Sequence, residues 1–229
     1  LGAADLVVYA GSLVPQELLS WTRPGTPAVD SASMTLEDIV AAMAQAHRAG
    51  RRVVRLHTGD PSLYGAVFEQ AAALRRLGIP SRIIPGVTAA FAAAAALGIE
   101  FTLPEVAQTL ILTRVAGRTP VPASEDLASL AAHRTSMAIY LSMGQIETAA
   151  ATLAEAYGPQ APCAVVYQAS QAGEKVIRAP LSELAARVRA AGITRQALII
   201  VGRVLEIAPE DLKAASKLYD RHFEHGYRK

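Results

Sequence analysis

Arg52-Val53-Val54-Arg55-Leu56-His57-Thr58-Gly59-Asp60-Pro61-Ser62-Leu63-Tyr64-Gly65-Ala66 is the stretch whose reading decides the fold. Val53, Val54 and Leu56 form a short β-branched and apolar run between turn residues, which predicts a strand. Gly59 and Pro61 end it, because glycine reaches backbone angles closed to other residues and proline fixes its own φ. Asp60, ahead of a proline, is pushed toward an extended conformation. Leu63, Val67, Ala71, Leu74 and Leu77 then recur at helical spacing. Strand, sharp loop and helix make the βα unit of an open α/β sheet, which places ligands at loops past the carboxyl ends of its strands. An ordinary βα turn fits the same residues, since a short Gly-Asp-Pro is unspecific by itself.

On the N-terminal side, residues 5–10 (Asp-Leu-Val-Val-Tyr-Ala) read as a strand followed by the loop Gly11-Ser12-Leu13-Val14-Pro15. Residues 22–33 are polar and contain proline. Thr35 with Asp38 makes a capping-box pattern ahead of Leu36, Ile39, Val40 and Met43, and Gly50 is a C-terminal stop. On the C-terminal side, Gly78 and Pro80 mark a turn and residues 82–84 a short strand. Pro85-Gly86-Val87-Thr88 is a second loop, with Thr88 placed to cap a helix over 89–97. This alternation predicts a parallel sheet with helices on its faces.

Pro104 and weak periodicity over 101–106 place a boundary, giving an N-terminal α/β domain, 1–104, and a C-terminal α/β domain, 105–229. In the second, strands are predicted at 109–113, 136–142, 164–167, 175–178 and 197–202, and helices at 124–132, 146–157 and 181–191. The remainder from Pro209 is polar and aromatic and is expected on the surface.

Composition bounds the function. Hydrophobic residues are 52% of the 229 and charged residues 18%, enough for a core and no basis for disorder. A net charge of +2 gives no case for nucleic acid. Cys163 is the single cysteine, so no internal disulfide is possible, and its apolar surroundings, 161–167, predict a buried structural thiol. That fits a cytoplasmic protein. No run reaches the ~18 apolar residues of a membrane helix, and no signal peptide is visible.

Four predicted strand ends stand out: Thr58-Gly59-Asp60-Pro61, Pro85-Gly86-Val87-Thr88-Ala89, Ser142-Met143-Gly144 and Gln168-Ala169-Ser170. Their small side chains leave main-chain groups available to a ligand. Nucleophilic catalysis has little support: there is no Gly-x-Ser-x-Gly elbow, and Cys163 lies inside a predicted strand. His47, His57, His133, His222 and His225 show no paired spacing with Cys or carboxylates, so no metal site is expected. His222 and His225, three apart in the polar tail, read as a solvated pair. The Gly-x-Gly-x-x-Gly and Walker fingerprints are absent.

Five segments carry a resemblance when taken in order: Tyr9-Ala10-Gly11-Ser12-Leu13-Val14-Pro15, the run from His57 to Ala66, Pro85-Gly86-Val87-Thr88-Ala89-Ala90, Leu112-Thr113-Arg114 with Gly117-Arg118-Thr119-Pro120, and Leu198-Ile199-Ile200-Val201-Gly202-Arg203. Over essentially the whole chain the sequence resembles the tetrapyrrole (corrin/porphyrin) methylases. The first and fourth segments favour the precorrin-4 C11-methyltransferase branch of cobalamin synthesis, cobalt-precorrin-4 counterparts included. The family begins with a strand and a Gly-rich loop ahead of the part matching Ala4, which is a departure here.

The resemblance implies two α/β domains with S-adenosylmethionine in the cleft between them. It implies methyl transfer to carbon 11 of precorrin-4 or cobalt-precorrin-4, and a homodimer. Carried over residue by residue, Thr58, Gly59, Asp60 and Leu63 would line the methionine and ribose side, with Thr88 and Ala89 in the second loop. Met143, Ala169 and Ala197 would stand near the adenine. Arg114 and Arg118 suit the substrate's carboxylates as bidentate partners, or are solvated loop arginines. Asp60 accepts hydrogen bonds from the cofactor or caps its own turn. His57 takes a substrate proton or is simply packed, and Tyr64 touches a ligand or packs. No catalytic base stands out. Methylation at another ring position and a non-catalytic tetrapyrrole carrier remain as alternatives.

Overall fold

The predicted central strand forms. In the computed structural model, which describes residues 1–212 together with 216, 223, 224 and 226, β3 runs over Val53–Leu56. It pairs in parallel with β1, Leu6–Tyr9, which pairs in parallel with β2, Ala28–Asp30. The predicted parallel sheet thus has the order β2-β1-β3. The polar, proline-containing segment 22–33 supplies β2. Helix α1, Leu36–Arg48, opens with the expected capping box, in which Thr35 and Asp38 satisfy each other's backbone N–H. Its Ile39, Val40, Met43 and Ala44 pack with Leu6 and Val8, and Leu74 of α2, Val67–Arg76, joins them.

Residues 82–84 are not a strand. Among the described residues β3 pairs with β1 alone. Arg82, Ile83 and Ile84 remain exposed, with no backbone ladder to order them. A groove of about 630 Å³ runs along that side of β3, walled by Val53 to His57, by Val67, Gln70 and Leu74 of α2, and by Ile79 to Gly86.

The chain divides into two units, Leu1–Ala89 and Ala90–Lys229. Helix α3, Ala89–Leu97, starts at that division, whereas the sequence reading draws its boundary at 104. Ala90, Ala93, Ala94 and Leu97 pack on Ala138, Ala164, Val166, Leu198 and Ile200, which places the helix on the second sheet.

That sheet comprises β4, Leu110–Arg114, β5, Ser136–Tyr140, β6, Pro162–Tyr167, β7, Lys175–Pro180, and β8, Ala197–Val201, in the order β4-β5-β8-β6-β7. β4 and β5 are parallel, and β8 runs antiparallel to both its neighbours. Side chains alternate across the faces. Met137, Ile139, Cys163, Val165, Ile199 and Val201 meet α4, Leu127–Ala131, α5, Ile146–Tyr157, and α6, Leu181–Ala190, on the face opposite α3. Asp126 caps α4, two residues after the predicted start at 124, accepting from the N–H groups of Ala128 and Ser129 at 2.9 and 3.0 Å. Of the tail beyond Pro209, residues 209–211 form a single 3-10 turn, and His222 and His225 lie outside the described residues.

Candidate functional site

The first unit gathers its loops at one rim, because Tyr9, Asp30 and Leu56 end their parallel strands in register. Asp30 accepts the N–H of Gly11 and of Ala32, each at 2.9 Å. Any side chain at Gly11 would meet that carboxylate at 2.1 Å. Nothing in the sequence singled out Asp30, because its partner lies 19 residues away.

The loop after β3 is tightly wound. Gly59 has φ +62°, and Tyr64 and Ala66 share the left-handed region at +55° and +49°. Asp60 Oδ1 accepts the Ser62 N–H at 2.8 Å, which is the turn the sequence offered. Its Oδ2 accepts the Gly86 N–H, also at 2.8 Å, from the second loop. These bonds, that of Gly86 foremost, hold the Asp60 carboxyl below the ordinary range. A Cβ on Gly86 would lie 2.2 Å from the Gly59 carbonyl oxygen. A Cβ on Gly59 would stand 3.6 Å from Thr88 Cα and 3.7 Å from Ala89 N. Thr58, Gly59, Asp60, Leu63, Thr88 and Ala89 are thus brought together by two backbones in contact. The main chain at Thr58, Gly59 and 85–87 is exposed and carries little side-chain bulk, which suits close approach by a ligand.

His57 is placed differently. It is half-buried on the groove wall, and its Nε2 is buried without a hydrogen-bond partner. Burial first, and the Arg55 guanidinium second, push its pKa below the usual imidazole value. Arg55 donates to Gln70 Oε1 at 3.1 Å and to the Val8 carbonyl at 3.2 Å, and burial lowers its pKa too.

In the second unit the register aligns Arg114 with Tyr140 and, two strands over, Ala197 with Tyr167 and Lys175, so all sit along one end of the sheet. The loops leaving that end are strained. Leu141, Gln168 and Ser170 have φ of +53°, +46° and +63°. Non-glycine residues held there mark places where the surroundings over-determine the backbone, as at ligand sites. Gln168 is fixed by its N–H to the Gln196 carbonyl at 3.0 Å and by its Nε2 to Gln196 Oε1 at 2.8 Å. Ser170 is fixed by its N–H to Glu174 Oε2 at 2.6 Å.

Met143 is not presented at this rim. It is 6% exposed and packs in the core with Met137, Ile146 and Ala149. Leu141 takes the outward position, 72% exposed, immediately after a buried strand. Ser142 anchors the reversal. It is fully buried, donates to the Tyr140 carbonyl at 2.6 Å and accepts the Val115 N–H at 3.0 Å. Ala169 packs toward the α3 side of the sheet and Ala197 toward the other, each half-buried.

Arg114 folds its own loop. It donates to the carbonyls of Thr119 and Pro120 at 2.9 and 2.8 Å and to that of Val115 at 3.4 Å. Arg118, carried on that loop, is exposed. Cys163 donates to the Ala179 carbonyl at 3.0 Å, and burial pushes its thiol up to about 12, so it offers no nucleophile. Among the described residues no group of three His, Cys, Asp or Glu is placed to hold a metal, and no helix is long and apolar enough to cross a membrane.

Comparison with known proteins follows the same lines. Residues 1–185 match the profile of the tetrapyrrole (corrin/porphyrin) methylases. The cobalt-precorrin-4 C(11)-methyltransferase of Methanocaldococcus jannaschii is 49% identical over 99% of this chain and 86% of its own. The precorrin-4 C(11)-methyltransferase of Pseudomonas aeruginosa is 48% identical over 97% and 88%. A solved cobalt precorrin-4 methyltransferase, a cobalamin biosynthetic enzyme, superposes with a TM-score of 0.86 at 43% identity, covering 90% of this chain and 86% of that one. A uroporphyrin-III C-methyl transferase from Thermus thermophilus, complexed with S-adenosyl homocysteine, superposes at 0.72 with 27% identity over 91% and 90%. With the two strained rims and the glycine cradle already in place, these matches establish that the chain belongs to the tetrapyrrole methylases.

Proposed function

We propose that the protein is an S-adenosylmethionine-dependent C-methyltransferase acting at carbon 11 of precorrin-4 or cobalt-precorrin-4 in cobalamin biosynthesis. Its products are precorrin-5, or the cobalt form, and S-adenosylhomocysteine. The observation that carries this reading is near-full-length similarity, above 40% identity, to relatives named for that reaction under both substrate forms. When bound, the cofactor supplies a methyl already activated on a sulfonium sulfur. The protein's part is then to align and desolvate, which can supply most of the acceleration. No side-chain nucleophile is called for, and neither buried Cys163 nor packed His57 offers one.

The glycine-walled loops fit that role. Thr58, Gly59 and Leu63 with Thr88 and Ala89 hold the cofactor largely through main-chain groups. In the second unit Met143, Ala169 and Ala197 are the positions the resemblance assigns to the cofactor, and Leu141, 72% exposed, is the apolar side chain turned to solvent at that rim. Arg118 meets a substrate carboxylate, Arg114 keeps its loop in shape, and Tyr64, exposed on the loop after β3, is available for contact with either ligand. The working form is a cytoplasmic homodimer, a state light scattering measures directly.

The test is to incubate the purified protein with precorrin-4 and methyl-labelled cofactor and to locate the label by NMR. Label at carbon 11 is expected. Label at another ring carbon would move the chain to a different branch. Absence of turnover together with absence of S-adenosylhomocysteine binding in calorimetry would favour a carrier.

A further inference from the structure

Asp60 has two oxygens and two backbone partners, and only one partner belongs to its own turn. The other is Gly86, 26 residues on, whose N–H lies 2.8 Å from Oδ2. The same glycine presses against Gly59 so closely that a methyl would meet the Gly59 carbonyl oxygen at 2.2 Å and its carbon at 3.1 Å. Carboxylate, Ser62 N–H and Gly86 N–H therefore form one charge-assisted fastening. It acts where the two backbones already touch.

We infer that Asp60 is a positioning residue. Its carboxylate clamps the 85–89 loop onto the 58–63 loop, so that the N–H and C=O groups around Thr88 and Ala89 stand ready for the cofactor, and it acts through Gly86 without touching the cofactor itself. This rests on the proposed cofactor-binding role of these loops. A second device on the same rim has the same chemistry: Asp30 accepts the Gly11 N–H, and Gly11 again leaves no room for a side chain. Loops that carry few side chains cannot hold one another by packing. A carboxylate between two amides supplies the missing constraint. The closed fit explains why position 86 is a glycine: with any Cβ the loops separate and the carboxylate no longer reaches.

The experiment is a double-mutant cycle read by S-adenosylhomocysteine calorimetry. Asp60→Ala and Gly86→Ala are each expected to raise Kd about tenfold, the scale of one hydrogen bond to a charged group. The double variant should be no weaker than the worse single variant. Asp60→Asn, whose amide oxygen still accepts one N–H, should recover part of the loss. In turnover the KM for S-adenosylmethionine should rise while that for the tetrapyrrole stays constant. If the two single effects multiply instead, Asp60 contacts the cofactor on its own account and the clamp is wrong; unchanged affinity in Asp60→Ala overturns it equally. Hydrogen exchange at the Gly86 amide of the ligand-free protein separates this idea from the functional reading. Faster exchange in Asp60→Asn and Asp60→Ala supports the clamp even if no cofactor binds, and unchanged exchange refutes it.

Discussion

Leu141 occupies a left-handed backbone conformation that costs an ordinary L-residue about 1–2 kcal/mol, and its side chain is turned to solvent. Neither property benefits a folded chain that binds nothing, so the position is a place where stability and ligand contact are expected to trade. Leu141→Asn puts in a residue that tolerates this conformation. Stability should hold or rise, by about 1 kcal/mol at most and seen as an unchanged or higher thermal midpoint, while S-adenosylhomocysteine affinity falls several-fold. A variant that binds as tightly as the parent would remove Leu141 from the site. Sequence could not make this choice. Leu141 and Met143 are both apolar and two apart, and only the left-handed turn fixed by buried Ser142 decides which faces inward. Gly59 and Gly86 were legible, because glycine in a strand-to-helix loop signals a backbone that must pass close to something. The partner of Asp60 was not, since a contact across 26 residues leaves no local pattern. Guanidinium chemistry makes Arg114 either a substrate ligand or a loop arginine in the sequence. The carbonyls it holds belong to its own loop, and no composition rule reveals that.

At the level of elements, the long periodic ones were readable to within a residue or so: β3, α1 with its capping box, α5 and β8. Those defined by partners were not. Residues 82–84 have strand composition and no ladder, whereas the three-residue β2 has weak composition and a parallel neighbour. Helix α3 is nearly all alanine, so it carries no amphipathic stripe to say which sheet it covers. Its allegiance comes from packing against Ala138, Ala164 and Ile200, and from Tyr140, whose hydroxyl accepts the Ala90 N–H at 2.9 Å. Tyr140→Phe keeps the ring and removes the acceptor. It should destabilise the protein by about 1–2 kcal/mol, the cost of a polar group left without its partner. A denaturant midpoint that does not move, with an unchanged slope, would show that solvent satisfies Ala90 instead.

For the whole molecule, the α/β class and the presence of two units followed from the alternation of periods. Pro104 is the visible break in the sequence, while the two compact units divide in an unremarkable run at Ala89 and Ala90. The second sheet places β8, the last strand among the described residues, at its centre, where it joins the β4-β5 pair to the β6-β7 pair. A protein ending at Gln196 should therefore lose the cooperative thermal transition of that unit in circular dichroism, although 33 residues, a minor share of the 229, are removed. A sharp transition in the shortened protein would mean that the two strand pairs can join without β8. The same placement sets a schedule during synthesis. While the ribosome is still upstream of Val201 the nascent polypeptide holds two half-sheets, each with an apolar flank awaiting its neighbour. β8 is the keystone, so a translation product that stops short of it would be a natural client for chaperones and proteases.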